Sequence, residues 1–152
     1  MRISAKADYA VRAMAELAAA EPGQTLKAEQ LAHLQEIPLK FLLNILVELK
    51  HAGLVQSHRG AEGGYLLPRP AGSITLADVI RAVEGPLATV HDTRPEYLQY
   101  RGPASELRAV WVAVRSSLRA VLENVTLQDL VRGSLPESVV NMARRPEAWI
   151  SH

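Results

Sequence analysis

The chain has 152 residues, 48% of them apolar and 22% charged, which is enough for one globular domain with an appendage and too little for two large lobes. Cysteine is absent, so a disulfide framework, a thiolate nucleophile, a Cys-ligated zinc and a Cys-ligated iron–sulphur cluster are all excluded. The 17 Lys+Arg against 16 Asp+Glu leave a formal charge of +1, so global charge does not point to nucleic acid and the local placement of cations has to decide.

Ser4 is a candidate helix cap, followed by Tyr9, Ala10, Ala13, Met14, Leu17 and Ala18 at three-to-four spacing, with a stop at Pro22-Gly23. Arg12 and Glu16 interrupt this Ala-rich stretch and no cleavage region follows, so it reads as a soluble helix and not as a secretory signal. No run of 18 apolar residues occurs, and a cytoplasmic location is the expectation. A short helix is predicted over about Lys27 to Leu34. After Ile37-Pro38 a second helix runs from about Leu39 to Ala52, with Gly53 as its stop and Phe41, Leu42, Ile45, Leu46 and Leu49 as its core stripe. Leu39, Leu43 and Val47 form another apolar stripe, which either meets thymine methyls or packs on the first helix.

The helix pair reads as a helix-turn-helix, and the next dozen residues strengthen the reading. Leu54 to His58 is a predicted strand, Arg59 to Gly64 a turn, and Tyr65 to Leu67 the returning strand, together a winged helix whose glycines allow a tight loop and close approach to a phosphate backbone. A linker through Pro68, Pro70 and Gly72 leads to Thr75 and Asp78, a capping-box spacing that opens a helix with Val79, Ile80 and Val83 before Gly85-Pro86. Residues 86–104 show little periodicity and read as a long functional or mobile loop. Leu107, Trp111, Val114, Leu118, Val121 and Val125 then step by four and three, a heptad seam best matched by the same helix of a second copy, the alternative being that it packs on the wing domain of its own chain. Thr126 and Asp129 repeat the capping spacing and Gly133 ends that helix; in the tail, Val139 to Ala143 is helical and Trp149 is expected to dock on the body.

Several stretches carry a family resemblance: Met1-Arg2-Ile3-Ser4, Asp8-Tyr9-Ala10-Val11, Ile37-Pro38, Phe41-Leu42, Ala52-Gly53-Leu54-Val55, and above all Ser57-His58-Arg59-Gly60 with Gly63-Gly64-Tyr65-Leu66. On these residues the chain resembles the Rrf-two family of bacterial transcription regulators over residues 1–133. The resemblance implies a mainly α fold with a small β-hairpin wing, a homodimer joined through the helix near 107–125, and double-stranded DNA read as an inverted repeat. It divides the chain into a winged helix-turn-helix over 1–70, a connecting helix over 71–85, a sensor-type loop over 86–106, a dimerisation helix with a short helix after it over 107–133, and a tail over 134–152. Cluster-binding relatives carry three cysteines in the loop matching 90–106, where this chain has none, so no cofactor is expected. Asp8 stands where nitric-oxide-sensing relatives supply a carboxylate ligand; without thiolates it reads as an ordinary helix residue.

The candidate DNA contacts derive from these placements. Arg59 at the wing tip is long enough to enter a narrow minor groove, and Ser57, His58 and Gly60 adjoin it. Lys40 and Asn44 share one face of the recognition helix, where Asn can pair bidentately with adenine, although a solvated face would place them in the same way. Arg2, Lys6 and Tyr9 start the first helix, where the family touches the DNA backbone. Glu62 is an unfavourable acid in the wing loop. Glu29 with His33, and His91 with Asp92, each lack a third ligand by spacing, so no metal site is expected. Tyr97, Tyr100 and Trp111 could line a ligand pocket. No nucleophile–base pair, paired carboxylates or phosphate loop supports an enzyme. The reading is a DNA-binding repressor, with an alternative in which a protein partner or small molecule controls the chain at the 86–106 loop, as in cluster-free relatives that answer to a metabolic enzyme.

Overall fold

The computed structural model describes all of residues 1–152 and contains seven α-helices and one two-stranded antiparallel hairpin. Helix α1, Ala5–Ala19, begins at Ser4, whose hydroxyl accepts from the Ala7 amide at 3.0 Å. Its buried face is Ala7, Ala10, Ala13, Met14 and Leu17, mostly small residues. Small side chains let neighbouring backbones come close, and α1 accordingly serves as the hub of the fold, touching four other helices.

Helices α2, Ala28–Gln35, and α3, Leu39–His51, form the helix-turn-helix. Between them Glu36 takes the left-handed conformation, Ile37 is buried, and Pro38 sits at the cap position just before α3, where its missing N–H leaves nothing unpaired. Leu42, Ile45, Leu46 and Leu49 pack into the core as the spacing predicts. Phe41 does not. It is 60% exposed, because it stands at the rim of the groove between α3 and α1 and not beneath it; Leu43 and Val47 are exposed as well. The second apolar stripe, Leu39, Leu43 and Val47, is exposed and not buried against α1, with Val47 at the edge of the groove between the two helices.

The wing consists of β1, Gln56–His58, and β2, Gly64–Leu66, with Ser57 opposite Tyr65. Leu54 and Val55, read as strand residues, instead bury their side chains ahead of the first ladder pair. The wing is fastened to the chain just before α2: the Leu26 and Tyr65 amides donate to each other's carbonyls at 2.9 and 2.8 Å, and Thr25 Oγ1 donates to the Glu62 carbonyl at 2.8 Å. Glycine is required for this closeness. A β-carbon on Gly64, whose φ is +145°, would lie 2.7 Å from the Leu26 carbonyl oxygen, and one on Gly63 would lie 2.4 Å from that of His58. Gly63 thus serves the tight loop that the sequence suggested, and Gly64 the seating of the wing on the Leu26 backbone.

Helix α4, Leu76–Glu84, and helix α6, Leu127–Arg132, both open with the predicted capping box. Their starts lie side by side: the Leu76 amide donates to the Val125 carbonyl and the Leu127 amide to the Ile74 carbonyl, each at 2.9 Å. Ile74, Val79 and Leu127 seal this end of the core. Between α4 and α6 runs α5, Leu107–Leu122, which has no buried residue and packs mainly against α4 and a short turn of 3-10 helix at Pro95–Tyr97.

Two expectations fail here. Val125 lies beyond the end of α5 and is 3% exposed inside its own chain, so it leaves the proposed dimer seam. Trp149 is 79% exposed and its indole N–H donates only to the Ala143 carbonyl of α7, Glu137–Ala143, so it does not dock on the body. The 86–106 segment is more ordered than a free loop. Pro95 is buried, Glu96 pairs with Arg115, and Trp111 Nε1 donates to the Tyr100 hydroxyl at 3.0 Å.

Candidate nucleic-acid interface

The outward face of α3 carries Leu39, Lys40, Leu43, Asn44 and Val47, all exposed. On one side it borders α1 across a groove of about 680 Å³ lined by Lys6, Tyr9, Phe41, Asn44 and Val47. On the other side Leu43 meets the wing across a smaller cleft of about 270 Å³ shared with Lys27, His58, Gly60 and Tyr65. The fold thus brings one α1 turn, one helix face and the wing onto a continuous surface. Its two clefts flank a helix with a mixed polar and apolar face, the geometry a major groove accepts.

Electrostatics on this surface is tempered. Lys6 Nζ lies 2.8 Å from a Glu48 carboxylate oxygen, which ties α1 to α3. Both side chains are more than a third exposed, so water weakens the attraction and leaves the ammonium available to a stronger anion. Arg12 stacks over Tyr9 at 5.0 Å, pairs with Asp8 at 3.0 Å and donates to the Gln35 carbonyl at 2.7 Å. Asp8 is thereby committed to orienting Arg12, which caps the end of α2. Lys40, His58 and Arg59 are exposed and take part in no ion pair, whereas Ser57 is half-buried in the ladder.

Arg2 is placed elsewhere. It precedes α1 and, with Met1 and Ile3, lines a third groove of about 460 Å³ between α1, α4 and α5, where Trp111 and Leu118 form the opposite wall. The seam residues Leu107, Trp111, Val114, Leu118 and Val121 are all half-buried, and Val110 beside them is 49% exposed. Sequence reasoning missed Val110, Lys27 and the outward Phe41. Lys27 was legible as the residue at the mouth of α2, but nothing in its own neighbourhood announces the wing beside it.

Comparison with known proteins decides the family. A family model described as Rrf2, iron-dependent transcriptional regulator, matches residues 3–133. The chain belongs to this family. A helix-turn-helix type transcriptional regulator of Mycobacterium tuberculosis is 52% identical over 143 residues, covering 94% of this chain and 89% of the relative. The regulator CymR of Bacillus subtilis is 35% identical over 130 residues, 86% of this chain and 89% of that protein. Among solved structures, that of CymR, titled the global cysteine regulator of B. subtilis, superposes with a TM-score of 0.74 at 34% identity, covering 88% of this chain and 98% of its own. The IscR structure from T. potens gives 0.72 at 29% identity over 100% and 93%. The protein is a transcriptional regulator with a DNA-binding winged-helix fold. No helix is long and apolar enough to cross a membrane.

Iron, implied by the family description, does not fit the residues present. The chain has no cysteine, Asp8 is engaged by Arg12, and His91 and Asp92 gather no third donor: no group of three or more His, Asp or Glu side chains is arranged to hold a metal ion.

Proposed function

We propose that this Rrf2 regulator binds an inverted-repeat operator as a homodimer and represses transcription by occupying it, without a metal cluster. The observation that carries the reading is the outward face of α3 set between the α1 groove and the wing. In this reading Lys40 and Asn44 address base edges, while Leu39, Leu43, Val47 and Phe41 offer apolar contact to thymine methyls. Arg59 enters the minor groove, and Ser57, His58, Gly60, Lys6 and Tyr9 hold the phosphate backbone on either side. Arg2 joins the interface only if the segment before α1 turns toward DNA, so its part is secondary. Residues 1–70 form the reading unit, 71–85 the connector and 107–133 the self-association unit.

Self-association is supported by α5, a 16-residue helix with no buried residue. Leu107, Trp111, Val114, Leu118 and Val121 present a half-buried apolar stripe beside the 460 Å³ groove, and a second α5 would complete its burial. The chain matches 89% of the length of both the M. tuberculosis regulator and CymR.

Selection of bound DNA from a random library, followed by mobility shifts across a salt series, tests the proposal. The expected outcome is a palindromic site bound by two chains, with Arg59→Ala weakening binding roughly 10- to 100-fold and lowering the salt slope by about 1. Recovery of no enriched sequence would remove the operator reading; unchanged affinity in Arg59→Ala would remove the wing from it. In transcription from a promoter carrying the site, repression predicts lower yield. A second reading, control through the 86–106 segment, is favoured by the contacts that segment makes with α5 through Glu96–Arg115 and Tyr100–Trp111.

A further inference from the structure

Where α4, α5 and the 86–106 segment meet, four arginines surround one open pocket. Arg81 comes from α4, Arg94 from the segment, and Arg115 and Arg119 from one flank of α5; the bend at Gly85–Leu87 forms the rim. The pocket measures about 430 Å³, a volume suited to a small metabolite, and Leu87 is its single apolar side chain apart from Pro86. Only two carboxylates answer the four guanidinium groups. Arg115 pairs with Glu96, whereas Arg81 and Arg119 share Glu123, with Arg119 Nε at 2.9 Å. Arg94 is exposed and has no ion-pair partner.

The pairings do not satisfy the cluster. Each guanidinium has five N–H donors in a planar fork suited to carboxylate, sulfate or phosphate oxygens, and the shared Glu123 leaves donors on both of its partners unused. Four fixed positive charges against two negative ones leave an excess of two, the charge of a small dianion. The carboxyls are no competitor that protonation could remove near neutral pH. The Arg81 hydrogen bond, aided by Arg119, holds Glu123 below the usual carboxylate range, and a backbone hydrogen bond followed by Arg115 does so for Glu96.

We infer that the Arg81–Arg94–Arg115–Arg119 pocket binds a small dianionic ligand, one carrying a phosphate, a sulfate or two carboxylates, and that its occupancy alters DNA affinity. This effector role rests on the proposed regulator function. The location favours it, since a ligand spanning Arg81 and Arg119 joins α4, which packs on α1, to α5. On the helix wheel Arg115 and Arg119 lie on the flank toward α4, whereas Val110 and Val121 lie on the far flank, so pairing of two α5 helices leaves the pocket open.

The test uses the full-length protein with sodium sulfate, sodium phosphate and sodium succinate, each compared with sodium chloride at equal ionic strength. Calorimetry and thermal unfolding are expected to show saturable binding of one anion per chain for at least one of the three, weakened about tenfold in Arg94→Ala. Because Arg94 makes no close ion pair and its charge reaches Glu96 only at longer range, that variant is expected to keep the fold, and unfolding curves without ligand verify this. No saturable binding beyond chloride, or undiminished binding in both Arg94→Ala and Arg119→Ala, overturns the site. With operator DNA, the binding anion is expected to change affinity several-fold in the parent and not in Arg94→Ala; binding without that change overturns the effector role. If no DNA sequence is selected at all, the regulator reading fails while calorimetry still decides the pocket. Which of the three probes binds tells phosphate, sulfate and dicarboxylate ligands apart.

Discussion

Replacing Gly64 with alanine is expected to undock the wing. The new β-carbon would stand 2.7 Å from the Leu26 carbonyl oxygen and 2.8 Å from its carbon, both backbone atoms that no side-chain rotation can move aside. Holding alanine in that conformation costs about 1–3 kcal/mol. Relieving the clash separates Leu26 from Tyr65 and forfeits their two hydrogen bonds, each worth about 1 kcal/mol net. A loss on the order of 3 kcal/mol corresponds to local opening roughly 100-fold more frequent. Amide exchange measured residue by residue reads this directly: the Leu26 and Tyr65 amides should exchange that much faster, while those of α1 and α4 stay nearly unchanged. Gly53→Ala is the control, since Gly53 has a φ of +74° but nothing within 4 Å of a new β-carbon. If the two variants protect Leu26 and Tyr65 equally well, close approach is not what glycine provides at position 64, and the account of the wing base is wrong.

Other substitutions separate surface from core. Phe41→Ala should change stability by less than about 0.5 kcal/mol in urea unfolding, as for an exposed side chain, yet reduce operator affinity in mobility shifts. Val125→Ala should cost about 1–2 kcal/mol in the same unfolding experiment without altering oligomeric state, whereas Val114→Glu should yield monomers by light scattering with little loss of helix content. Acid should loosen the α4–α5 contact. The Glu123 carboxyl is held below its ordinary value of 4.5, so its stabilising share is complete above that pH and disappears as pH falls through the lowered value. Near-ultraviolet circular dichroism across an acid titration should show the change, and Glu123→Gln should flatten it. Thr75→Ala should lower stability by about 1 kcal/mol through loss of the α4 cap, read from the urea midpoint.

The order of helices and hairpin was legible because local chemistry marks it. Ser4, Thr75 and Thr126 each accept the amide expected of a cap, and Leu42, Ile45, Leu46 and Leu49 bury as their spacing requires. What sequence could not separate was apolar residues meant for the core from apolar residues meant for a partner. Phe41 adjoins Leu42 and lies four before Ile45, so periodicity alone assigns it inward. Val125 continues the four-three count arithmetically, but the cap at Thr126 is itself extended, so one helix cannot run through it, and that signal outranks the count. Trp149 is apolar enough to suggest docking, but its segment touches little besides α7, and hydrophobicity alone does not supply a surface to cover it. Pairings such as Lys6 with Glu48 and the four-arginine pocket join residues tens of positions apart, and no local pattern encodes them.

The stapled starts of α4 and α6 give α5 a mechanical asymmetry. Its C-terminal end runs into Val125, whose carbonyl is pinned by Leu76 and whose side chain is buried, while its N-terminal end at Leu107 is held by an irregular segment. Such a helix is a lever with one fixed pivot. At 1.5 Å per residue its 16 residues span about 24 Å, so a tilt of about 10° at the pivot would carry the Leu107 end about 4 Å. Arg115 and Arg119 grip the lever between its middle and its pivot, a position from which a small displacement is amplified toward the free end.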